Sequence, residues 1–107
     1  MAKYFNITGA SSADAELTRE LLIAGSNFKV SKMFFTNIHD THPCTVDVYI
    51  EKALTGTFYF LKGVELPIGS TLVYENPLFN NATGEFGLFL KLNKSATETP
   101  NVDVILQ

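Results

Sequence analysis

From Thr45 to Glu51 polar and apolar residues alternate strictly, with Val46, Val48 and Ile50 on one side and Asp47 and Tyr49 on the other. A period of two belongs to a β-strand with one face in a core, because successive side chains point to opposite faces of a sheet. The same period places Phe86, Leu88, Leu90 and Leu92 against Gly87, Phe89 and Lys91. Near the end, Val102, Val104 and Leu106 alternate with Asp103 and Ile105. Both stretches predict half-buried strands.

Phe28 to Asn37 has strand composition but its phase slips, since Val30 and the pair Met33 and Phe35 fall on opposite parities. One extra residue at Ser31 or Lys32 restores the phase, which is what a β-bulge supplies. Further strands are predicted at Lys3 to Thr8, Thr57 to Leu61 and Thr71 to Glu75, bounded by Gly, Pro or Asn. Glu65 to Ser70, with Pro67 and Gly69, reads as a loop, and Asn76-Pro77 reads as the end of a strand. Ser11 to Gly25 is open to two readings. Ser11 with Asp14 resembles a capping box and Leu17 and Leu21 are four apart, as in a helix. Leu17, Leu21 and Ile23 also share strand parity, and a lone short helix is marginal, so a strand from about Leu17 to Ile23 is favoured. The total is about eight short strands: an all-β chain forming an antiparallel β-sandwich or jelly-roll, as one domain over residues 1–107.

Composition fits that picture. At 107 residues the chain has room for one core, and folding at this size buries roughly 65% of the unfolded surface. The 9 Phe and 4 Tyr supply bulky material for sheet faces. With a net charge of -3 and only 8 scattered Lys and Arg, no basic stripe exists to neutralise phosphates, so nucleic acid is not expected as a partner. Cys44 is the only cysteine, so packing and hydrogen bonds hold the fold and a reducing cytoplasm suits its assembly. The opening residues have no apolar h-region and no stretch has membrane-spanning length, so neither export by a signal peptide nor membrane insertion is expected.

Chemistry is sparse. His39-Asp40-Thr41-His42-Pro43-Cys44 is the densest group of potential zinc ligands, but adjacent side chains on so short a turn diverge, and no metal or cofactor is expected. No nucleophile elbow surrounds Ser11 and Ser12, and the carboxylate pairs Asp14 with Glu16 and Glu98 with Asp103 read as solvated loop ends and faces. No catalytic residues are assigned and no enzyme is expected. One feature rises above background: Phe34, Tyr49, Phe89 and Ile105 fall opposite the core face, which marks them as candidate partner-interface residues.

The run Val30-Ser31-Lys32-Met33-Phe34-Phe35-Thr36-Asn37, a short polar loop, then Thr45-Val46-Asp47-Val48-Tyr49-Ile50 resembles small virion structural proteins of tailed bacteriophages, in particular T4-like marine ones. The resemblance continues through Phe58 to Leu72 and the closing Val102 to Leu106. It implies a β-sandwich virion subunit present in many symmetric copies, assembled in the host cytoplasm. Its partners would be copies of itself and other virion proteins, either the major capsid protein or neck and tail subunits. Within that class the leading expectation is a capsid decoration or cement protein, and the runner-up a neck, tail or baseplate component. From another class, a carbohydrate-binding module would use Tyr49, Tyr59 or Phe89 as a stacking platform with Asn80 and Asn81 as polar readers, although Trp is absent.

Overall fold

The alternating stretches become eight strands in a computed structural model that describes residues 2–8, 16–52, 54–80, 86–94 and 99–107. They are β1 (Lys3–Thr8), β2 (Glu16–Leu22), β3 (Lys29–Asn37), β4 (Cys44–Lys52), β5 (Gly56–Leu66), β6 (Thr71–Asn80), β7 (Gly87–Lys94) and β8 (Asn101–Leu106). Two four-stranded sheets have the orders β1-β8-β3-β6 and β2-β7-β4-β5. The pairs β4 with β5, β3 with β6, β2 with β7 and β1 with β8 are all antiparallel. The chain is therefore one long hairpin with its tip between β4 and β5, rolled so that successive rungs fall in alternate sheets. That connectivity is a jelly-roll.

The core lies between the sheets and is built from the predicted parities. Val30, Met33, Phe35, Val102, Val104 and Leu106 enter it from one sheet, and Val46, Val48, Leu88, Leu90 and Leu92 from the other. Each such side chain contributes on the order of 1.5 to 3 kcal/mol on burial, which offsets the entropy of ordering its strand. Phe60 of β5 packs edge-on against Tyr74 and Phe79 of β6, closing the side of the sandwich where the two sheets end.

The predicted bulge in β3 is present. Ser31 N and Lys32 N both donate to Gln107 O, at 2.7 and 3.0 Å, so two residues oppose one and Val30 and Met33 both point inward. A second bulge, between Glu20 and Leu22, corrects the parity expected in β2: Leu21 and Leu22 are both buried while Ile23 is 69% exposed. The strand reading of this segment is the observed one, and the Ser11–Asp14 capping box lies outside the described residues.

Two predicted strand ends are also corrected. β6 continues through Asn76 and Pro77, because it is an edge strand and the proline falls where the register with β3 is interrupted, between Glu75 and Phe79. β5 runs on to Leu66, past the predicted end at Leu61, because two bulges against β4 absorb its extra residues. The turn then comes at Pro67–Ser70, closed by Ser70 N donating to Pro67 O with Gly69 at φ +71°.

Candidate functional site

On the outer face of the β2-β7-β4-β5 sheet, strand register sets Glu20, Phe89, Tyr49 and Tyr59 in one transverse row. The Tyr49 and Phe89 rings lie parallel, 5.4 Å apart at 8°, and the Tyr59 ring sits 5.2 Å away on the other side at 48°. Lys62 Nζ caps Tyr59 at 4.6 Å from its ring centroid. Burial, followed by the nearby Glu51 carboxylate, pushes the Tyr49 phenol above its ordinary pKa.

Beneath this row Asp47 departs from the simple alternation. It has outward parity yet is buried, accepting a hydrogen bond from Gly63 N at 2.6 Å and pairing with Lys62 Nζ at 3.7 Å. Gly63 adopts φ +64°, a left-handed conformation that costs glycine little, and so turns its N–H toward the carboxylate. The β5 bulge thus anchors Lys62 over Tyr59, and the aromatic row is a pre-ordered ridge. The Tyr49 ring is thus flanked by two neighbours, stacked on Phe89 and tilted against Tyr59. Asn80 lies in the other sheet, and Asn81 is outside the described residues.

The outer face of the β1-β8-β3-β6 sheet carries a second transverse row, Tyr4, Ile105, Phe34 and Val73. A polar row of Asn6, Asp103, Thr36 and Thr71 runs beside it. Asn6 Nδ2 donates to Asp103 Oδ1 at 2.8 Å and to Asn101 Oδ1 at 2.9 Å, and the Thr36 and Thr71 hydroxyls are 2.8 Å apart. On the far side of the apolar row, Lys32 faces Glu75 at 3.8 Å.

The four interface candidates therefore separate into two pairs on opposite sides of the sandwich, Tyr49 with Phe89 and Phe34 with Ile105. One flat partner cannot touch all four. Sequence reasoning assigned no interface role to Tyr4 or Val73, which are 73% and 45% exposed. The signal was their outward parity beside Phe5 and Leu72, which pack against the core.

The histidine loop serves the fold. His39 Nδ1 accepts from Thr41 N and His42 N, each at 3.1 Å, so its lone pair is used within the loop. Cys44 points into the core between the sheets. Among the described residues no three His, Cys, Asp or Glu side chains are placed to hold a metal ion. Burial pushes the Cys44 thiol up to about 11. At pH 8 a thiol reagent should therefore modify the native protein at least about a hundredfold more slowly than the unfolded chain, measured by mass shift with and without denaturant. Equal rates would place Cys44 at the surface. Cys44 and Tyr49 both hold their protons more tightly when folded, so their contribution to stability is complete below their unfolded pKa values and declines as pH rises through the folded ones.

No protein-family model matches the sequence, and no curated protein sequence matches it. Solved structures do share its fold. PirA is similar with a TM-score of 0.62 at 8% identity, over 99% of this chain and 93% of that one. The mitogen YPM from Yersinia pseudotuberculosis is similar with a TM-score of 0.54 at 13% identity, over 100% of this chain and 83% of that one. A structure of infectious bursal disease virus, Gx strain, aligns with a TM-score of 0.37 at 10% identity, over 98% of this chain and 32% of that one, too low to bear on the fold. At these identities the two closer likenesses speak to architecture alone.

Proposed function

We propose that the chain is a non-enzymatic structural subunit of a phage virion, a decoration or cement protein seated on the outside of a symmetric capsid shell. The observation that carries this reading is the ridge Phe89–Tyr49–Tyr59, in which Tyr49 stacks on Phe89 and Tyr59 leans against Tyr49 before any partner arrives. Ordered aromatics lose little rotamer freedom on docking, and Lys62, Glu20 and Glu51 around them supply a polar rim. Such a patch suits the centre of a protein contact.

The similarity of Val30–Asn37 and Thr45–Ile50 to small phage virion proteins supports the same setting. A jelly-roll offers a rigid body on which one face binds and the other faces outward, and modest contacts repeated around a lattice gain from effective concentration. The capsid protein is the proposed partner, with neighbouring copies of this chain beside it. Quantitative mass spectrometry of purified particles tests the placement. Hundreds of copies per particle are expected for a shell decoration, whereas a few or a dozen would move the protein to the neck, tail or baseplate.

A further inference from the structure

Between β1 and β8, on the outer face away from the aromatic ridge, four side chains stand around a small hollow. Tyr4 and Ile105 form one cross-strand pair, Asn6 and Asp103 the next, and the backbone of Phe5 and Val104 between them makes the floor. The hollow measures about 330 Å³, at the lower end of the size range of ligand sites. Residues two apart on a strand are about 7 Å apart and neighbouring strands about 5 Å, so the opening has roughly the footprint of one six-membered ring.

We infer that this hollow binds a neutral sugar ring. Its two sides ask for different chemistry from the same ligand. On one side, Tyr4 is 73% exposed and its ring stacks on no other ring among the described residues, so a flat aromatic surface stands beside Ile105. On the other, Asn6 Nδ2 is already committed to Asn101 Oδ1 and Asp103 Oδ1, which fixes all three side chains in place. Asp103 Oδ2 and Asn6 Oδ1 have no hydrogen-bond partner among the described residues, leaving two acceptors at the rim. The Thr36 and Thr71 hydroxyls continue that polar row across the sheet.

A pyranose meets both demands. The C–H face of the ring lies on Tyr4, and its hydroxyls donate to the Asp103 carboxylate and the Asn6 carbonyl oxygen. An anionic ligand is disfavoured because Asp103 is the charge lining the hollow. An extended peptide would use the backbone edge of β1, which no other strand pairs with among the described residues, in preference to this face. The inference stands independently of the capsid reading, since the hollow lies on the sheet opposite the ridge.

Backbone amide NMR shifts of the full chain, titrated with methyl glycosides of glucose, galactose, mannose, fucose and N-acetylglucosamine, test it. At least one glycoside should shift Tyr4, Phe5, Asn6 and Asp103 to Ile105, with a Kd on the order of 1 mM. Tyr4→Ala, which truncates an exposed side chain, and Asp103→Asn, which replaces the acceptor, should each weaken binding by about tenfold or more with the remaining spectrum unchanged. Four results would each overturn the assignment: no shift with any glycoside, shifts centred on Tyr49, Tyr59 and Phe89, affinity unchanged in Tyr4→Ala, or methyl glucuronide bound more tightly than methyl glucoside.

Discussion

Asn37→Asp should cost about 3 to 5 kcal/mol at neutral pH and leave much of the protein unfolded at physiological temperature. Asn37 ends β3 and is 1% exposed. Its Nδ2 donates to Leu66 O at 2.9 Å and His42 O at 3.2 Å, while its Oδ1 accepts from His39 N at 2.9 Å. One carboxamide thus ties the end of β3 to the loop entering β4 and to the end of β5, in the opposite sheet. A carboxylate replaces the two donated bonds with an oxygen facing two carbonyls, inside a site that water does not reach. The sign with pH follows. The new carboxyl would titrate above its unfolded value of about 3.9, so the deficit is smallest below that pH and grows as pH rises through the folded pKa. Chemical denaturation at two pH values measures it. A loss within about 1 kcal/mol at pH 7 would mean that the loop does not depend on Asn37.

The strands most legible in the sequence were those whose two neighbours force a strict in-and-out alternation. β4, β7 and β8 are central strands, so each inward residue meets the core and each outward residue meets a cross-strand partner. The β3 bulge was legible for the same reason, since only an extra residue lets Val30 and Met33 both be buried. Edge strands were harder to bound. Pro77 reads as a strand end in isolation, yet β6 tolerates it because, among the described residues, no further strand pairs on its outer side. Gly63 lies past the predicted strand end at Leu61, yet it serves a bulge within β5 that Asp47 stabilises from the neighbouring strand.

The candidate surface shows what parity carries and what it omits. Alternation told that Phe34, Tyr49, Phe89 and Ile105 point away from the core, and all four are half-buried on outer faces. It did not tell which sheet each strand joins. That depends on the rolled connectivity, in which β3 and β8 share one sheet and β4 and β7 the other, a long-range property with no local signal. The same limit concealed the row Tyr4–Ile105–Phe34–Val73. Its members lie in four strands far apart in the chain.

The aromatic ridge carries the second large effect. If Tyr49 and Phe89 form the centre of the shell contact, removing either ring should cost about 2 kcal/mol or more of binding, roughly a thirtyfold loss of affinity. Both rings are half-buried on the outer face and outside the core, so Tyr49→Ser and Phe89→Ser should remain folded. Phe34→Ser, on the opposite sheet, serves as the matched control. The direct measurement is re-addition of purified subunit to particles stripped of it, with the bound fraction titrated for each variant. Saturable binding that falls about thirtyfold in Tyr49→Ser and Phe89→Ser and is unchanged in Phe34→Ser is the predicted result. No binding of the natural subunit to any particle, or equal binding by all the variants, would contradict the proposed role.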